Sequence, residues 1–135
     1  LVNCGCFIKT AAITADIGTL QRLPTLVGHG VATEMALTAR VVRAEEAKAI
    51  GLVTEVAPDA AALEAAVAER AAALAAKSPL AVQGTKQAML HARDHSVGDG
   101  LEFVAMMNSA RLTSEDLSEA MGAKFARRAP TFSKL

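Results

Sequence analysis

Between residues 59 and 128 the chain offers almost nothing but helix, and that stretch limits the possible folds more than any other feature. Residues 60–77 are alanine-rich, with Leu63, Val67, Ala71 and Leu74 recurring on one face at helical spacing. Ser78-Pro79 reads as an N-cap followed by proline at the first helical position, so a second helix is predicted to about Ala92, with Val82, Met89 and Leu90 on its apolar side. Ser96 can cap a third helix over residues 97–112. Leu101, Phe103, Val104, Met106 and Met107 give that helix apolar character on more than one side, which calls for more than one packing neighbour. Thr113 and Asp116 approximate a capping box for a last helix through Arg128, with Leu117, Met121 and Phe125 in register. The expected class is mainly α, with one or two short strands.

Ahead of this region the punctuation is denser. Leu52-Val53-Thr54-Glu55-Val56 is rich in β-branched residues and partly alternating, which makes it the clearest candidate strand. Residues 43–50 suggest a short helix ending at Gly51. Gly28 and Gly30 suggest a turn around His29, followed by a helix over residues 31–39 that buries Met35 and Leu37. Upstream, Asp16 is a good N-cap for a short helix that places Gly18 in its first turn, buries Leu20 and Leu23, and is interrupted at Pro24. A carboxylate there sits at the positive end of a helix dipole and stays ionised. Local chemistry alone leaves Asp16 either a cap or an acid held for catalysis. Residues 1–8 could form a strand with a break at Gly5.

Composition narrows the function. A chain of 135 residues is one ordinary domain with room for a core, yet only 3% of it is aromatic, with no Trp or Tyr, so it has little surface for stacking bases. Its net charge is zero, and no global field points to nucleic acid or an anionic membrane. No apolar run reaches membrane-spanning length. Cys4 and Cys6, the only cysteines, are one residue apart and support neither a zinc site nor a disulfide framework, so a reduced intracellular protein is expected. His29 reads as a loop residue. His91 and His95 lie a helical turn apart, but no cysteine or carboxylate pattern accompanies them, and no metal is expected.

Thr14 to Pro24 (TADIGTLQRLP), together with Glu34 to Arg40 (EMALTAR), Ala44-Glu45-Glu46-Ala47 and Gly51-Leu52-Val53, resembles the crotonase (enoyl-CoA hydratase/isomerase) family. The Asp16 stretch, Ser78-Pro79, Arg93 to Val97 (RDHSV) and Phe132-Ser133-Lys134-Leu135 are similar to its Δ3,5-Δ2,4-dienoyl-CoA isomerase branch. The resemblance runs from about Ala12 to Leu135. It implies the C-terminal part of the α/β crotonase fold: a divergent lead at residues 1–11, the end of the core at 12–57, and a helical oligomerisation region at 58–132. Trimers or hexamers are usual in the family. The implied substrate is an acyl-CoA thioester, with no cofactor, no nucleic acid and no membrane.

The implied reaction moves a proton from C2 of a 3,5-dienoyl thioester to C6, and one acid/base group is needed near each end of the diene. By resemblance Asp16 is one of them. Ile8 and Thr10 stand where the branch usually carries a glutamate and an aspartate, and the oxyanion-hole motifs belong to family segments upstream of anything present here. The chain thus looks like the C-terminal half of an isomerase of fatty-acid β-oxidation, expected to be inactive alone. The alternative is a non-catalytic helical module whose remaining property is association. Lys124, Arg127, Arg128 and Lys134 form a positive tail. The resemblance gives Arg127, with Lys124, to the phosphates of CoA, while solvated charge is the plainer alternative. Ser133-Lys134-Leu135 matches the peroxisomal address, which implies a peroxisomal protein recognised by an import receptor.

Overall fold

The computed structural model describes Thr14, Ala15 and residues 18–133. Among them are seven helices: α1 (Thr19–Val27), α2 (His29–Thr38), α3 (Ala44–Ala49), α4 (Ala60–Ala75), α5 (Pro79–His91), α6 (Val97–Arg111) and α7 (Glu115–Phe125). The chain divides into two compact units, Leu1–Leu63 and Glu64–Leu135.

In the first unit a small core explains the chain path. Met35 and Val42 are fully buried with Leu23, Ala32 and Ala47, and Val27, Val31, Ile50, Leu52 and Val53 pack around them. The N-cap of α1 is Gly18, not Asp16; it adopts the left-handed conformation (φ 74°) and offers no side-chain cap. Asp16 itself lies outside the described residues. Pro24 does not stop the helix. It removes one backbone donor, yet α1 continues to Val27, and the Gly28 N–H closes onto the Pro24 carbonyl at 3.0 Å. His29 is the first residue of α2 rather than part of a loop, and Gly30 is helical. Met35 is buried as expected, but Leu37 is 75% exposed, because α2 turns only its Ala32–Met35 side to the core.

The predicted strand at residues 52–56 does not form. Gly51 (φ 79°) follows the C-cap of α3 in the left-handed region. The Gly51 N–H then bonds the Lys48 carbonyl at 3.1 Å, and the Leu52 N–H bonds the Ala47 carbonyl at 2.8 Å. This is a Schellman ending, and the Val53 N–H joins it at 3.2 Å. The amides that a sheet would need are spent on closing a helix. Among the described residues, β-structure is limited to an isolated bridge at Val42.

In the second unit the caps fall close to where local chemistry puts them. Ser78 accepts from the Ala81 N–H and Pro79 opens α5. Ser96 and Asp99 form a reciprocal capping box at the start of α6. The cap of α7 is Ser114, which accepts from the Leu117 N–H, rather than Thr113. Asp116 instead accepts from the Ser78 hydroxyl, tying the N-terminal ends of α5 and α7 together.

Helix α5 approaches α6 through a glycine. A Cβ on Gly84 would lie 1.7 Å from Nη1 of Arg111, whose other terminal nitrogen donates to Gln87 Oε1 at 3.2 Å. The apolar registers read from sequence are therefore mostly outward. Leu63, Val67 and Leu74 of α4, Met89 and Leu90 of α5, and Leu117, Met121 and Phe125 of α7 are all exposed, while Gly84 and Ala123 are the buried positions of α5 and α7.

Candidate functional site

The charged end of α7 is an organised polar cluster. The last helical residue is Phe125 and the C-cap is Ala126. Arg127 then takes φ 52°, a left-handed value that β-carbon sterics make costly for any residue but glycine. The Arg127 N–H bonds the Lys124 carbonyl at 3.2 Å and the Arg128 N–H bonds the Ala123 carbonyl at 3.0 Å. The motif is the same as that at Gly51, built on arginine instead of glycine.

Beyond the reversal the chain is held by one carboxylate. Glu119 receives Arg128 through two parallel contacts, Nη1 to Oε1 at 2.6 Å and Nη2 to Oε2 at 2.8 Å. Its Oε1 also accepts from the Thr131 N–H at 2.7 Å. The Arg128 guanidinium, helped by the Thr131 amide, holds the Glu119 carboxyl down at about 2. Arg128 is correspondingly raised by Glu119. So of the positive tail read from sequence, Arg128 is neutralised. Lys124, in the last turn of α7, and Arg127 are exposed and make no ion pair with any described residue. Two uncompensated cations at a helix end suit an anionic ligand.

Ser133 is exposed at the end of the described chain, and Lys134 and Leu135 lie outside it. Glu119 went unselected in the sequence because its partners lie 9 and 12 residues away. No helical spacing rule links such positions, and only the reversal at Arg127 brings them together.

Two other polar clusters are structural in character. Arg40 bonds both carboxylate oxygens of Glu34, at 2.7 and 2.8 Å, and reaches Glu46 at 2.7 Å, so it ties α2 to α3. Arg40 lowers the pKa of Glu34, and the two acids raise that of Arg40. His91 stacks between His95 and Phe103, with ring centroids 3.7 Å and 4.4 Å away. His95 Nδ1 is occupied by the His91 carbonyl at 2.8 Å and Asp94 Oδ1 at 2.6 Å, contacts that raise its pKa. Stacked rings do not converge on one point, and no group of three or more His, Cys, Asp or Glu side chains suited to a metal occurs among the described residues. Likewise, no helix there is long and apolar enough to cross a membrane.

A groove of about 520 Å³ runs between α5, α6 and α7. Its walls are largely apolar, from Leu80, Met89, Val104, Met107 and Leu117, with Arg111 and Asp116 as charged lining groups.

Comparison with known proteins gives the family. Residues 8–134 match the enoyl-CoA hydratase/isomerase family. The peroxisomal Δ(3,5)-Δ(2,4)-dienoyl-CoA isomerase of Arabidopsis thaliana is 50% identical over 92% of this chain and 45% of its own length. The mitochondrial enzyme of the same name from Homo sapiens is 42% identical over 91% of this chain and 39% of its own length. The crystal structure of an enoyl-CoA hydratase from Bacillus anthracis superimposes with a TM-score of 0.86 at 33% identity, covering 92% of this chain and 48% of that one. This chain spans less than half the length of these relatives. Its helices are those of one part of the crotonase fold, and the chain belongs to the enoyl-CoA hydratase/isomerase family.

Proposed function

We propose that the chain is part of an acyl-CoA isomerase of fatty-acid β-oxidation that converts a 3,5-dienoyl thioester into the conjugated 2,4-diene. Asp16 serves one end of the proton transfer, and Lys124 with Arg127 holds the phosphates of CoA. The observation that carries this reading is the 50% identity to the Arabidopsis dienoyl-CoA isomerase, against 38% to a putative enoyl-CoA hydratase of Thermus thermophilus. The unneutralised pair at the end of α7 supports the binding half of it. A proton leaves C2, the electron pair spreads through the thioester carbonyl and the diene, and a proton returns at C6. Ile8 is apolar at the position where the branch usually has its glutamate, and it can neither give nor take that second proton.

A missing general acid or base costs a factor of about 10²–10⁴, so these 135 residues by themselves turn over 3,5-dienoyl-CoA far more slowly than the Arabidopsis enzyme. The ultraviolet absorbance of the 2,4-dienoyl product measures this. Comparable rates for the two proteins would overturn the two-group reasoning. The same reading places the protein in peroxisomes through Ser133-Lys134-Leu135, although the Homo sapiens relative is described as mitochondrial. A fluorescent protein fused ahead of the chain, with and without Leu135, decides the matter, and diffuse signal from the intact fusion would defeat the assignment.

A second reading, a non-catalytic helical module, is favoured by one observation. Leu63, Val67 and Leu74 on α4 and Leu101 and Met106 on α6 leave long apolar rows exposed. It requires association, with itself or with an intact relative, and sedimentation as a clean monomer both alone and mixed with the intact Arabidopsis enzyme would remove it.

A further inference from the structure

We propose that Glu119 is a positioning residue for the cationic pair Lys124 and Arg127: by gripping Arg128 and the Thr131 amide it holds Arg127 in the left-handed conformation that the phosphate site uses. This rests on the reading of Lys124 and Arg127 as the CoA-phosphate site. Arg127 occupies a conformation (φ 52°) that disfavours its own side chain. Such strain persists only where surrounding contacts over-determine it. The backbone bonds to Lys124 and Ala123 are the ordinary ones of a Schellman ending, and Gly51 has the same pair without strain. What α7 adds is the clasp beyond the turn: the two-pronged contact of Arg128 and the 2.7 Å bond from Thr131, both on one carboxylate.

The clasp also sorts the charges. Neighbouring arginines at 127 and 128 follow the same helix end, and Glu119 consumes one of them. Its carboxyl, held at about 2, remains ionised throughout the physiological range, so the clasp is permanent rather than switched. Arg127 and Lys124 are left as the cations whose backbones are joined at 3.2 Å. Without Glu119, residues 127–131 lose their anchor, and Arg127 is free to relax out of the left-handed region.

Four variants of the full 135-residue chain test this: Arg127→Gln, Glu119→Gln, the two combined, and Arg128→Lys, which keeps the charge but loses the fork. Affinity for coenzyme A is read by calorimetry, folding by circular dichroism, and the conformation of Arg127 by its backbone NMR shifts. Arg127→Gln lowers affinity about tenfold, the usual weight of a charge-assisted contact. Glu119→Gln lowers it by several fold and shifts Arg127 out of the left-handed signature, while the double variant is no worse than Arg127→Gln alone. Additive losses, or a left-handed Arg127 in folded Glu119→Gln, would overturn the positioning role. An unchanged affinity in Arg127→Gln would instead overturn the phosphate-site reading. Should Glu119→Gln fail to fold, Arg128→Lys carries the same expectation, and an unmoved Arg127 signature in it refutes the proposal.

Discussion

Replacing Arg127 with glycine should make the protein more stable and worse at binding coenzyme A. The left-handed conformation at φ 52° costs an L-residue about 1–2 kcal/mol through the clash of Cβ with the following carbonyl. Glycine escapes that clash but adds roughly 0.4–1 kcal/mol of unfolded-state entropy. The balance leaves Arg127→Gly more stable by about 0.8 kcal/mol, within a range of about 0–1.6 kcal/mol. For a chain of this size that is a rise of a few degrees in Tm. Arg127→Ala is the control, because it removes the guanidinium and keeps Cβ, so it should gain nothing in stability and lose the same affinity. Thermal melts by circular dichroism and titration with coenzyme A give both quantities on the same samples. Equal stabilisation by glycine and alanine would show that the gain came from removing charge and that no strain is stored at this turn. A destabilised Arg127→Gly would show that the Arg127 side chain makes contacts worth more than the strain.

Further expectations concern the core and the titrating groups. Met35→Ala, at the fully buried centre of the first unit, should lose about 2–5 kcal/mol in urea unfolding. Glu119 has its pKa lowered on folding, so its contribution is complete above the ordinary value of 4.5 and is lost as pH falls towards 2. Acid melts of Glu119→Gln should lack that part of the decline. His95 has its pKa raised on folding, above the ordinary 6.5. Its contribution is therefore complete below 6.5 and disappears as pH rises through the folded value, which His95→Asn melts across neutral pH will register.

What could be read from the sequence was decided within about four residues, though not every local signal held: Gly18 and not Asp16 caps α1, Pro24 lies inside that helix, and Ser114 and not Thr113 caps α7. Ser78-Pro79, Ser96 and Gly51 all act where their residue types place them, because a cap is a contact between a residue and its own helix end. The strand expected at 52–56 failed for the same local reason seen from the other side. Its composition suits a sheet, but the Schellman ending at Gly51 had already committed the amides of Leu52 and Val53 to Ala47. The direction in which an apolar stripe faces was not legible, since it depends on what packs against the helix. Leu37 and Met89 satisfy helical periodicity and still point outward, while Gly84 is buried because Arg111 lies across it. Of the candidate site, Lys124 and Arg127 were legible as charges, but the removal of Arg128 by Glu119 was not, because the two meet only across a chain reversal.

That this chain supplies Asp16 and a CoA-phosphate site to a dienoyl-CoA isomerase can be tested in a chimaera with the Arabidopsis enzyme. Residues 12–135 are grafted in place of the matching 45% of the Arabidopsis isomerase, and formation of 2,4-dienoyl-CoA is followed for the chimaera and for its Asp16→Asn variant. The expected result is an active chimaera whose turnover falls by about 10²–10⁴ when Asp16 becomes Asn. A folded chimaera that does not isomerise the substrate, or one that Asp16→Asn leaves unimpaired, would contradict it.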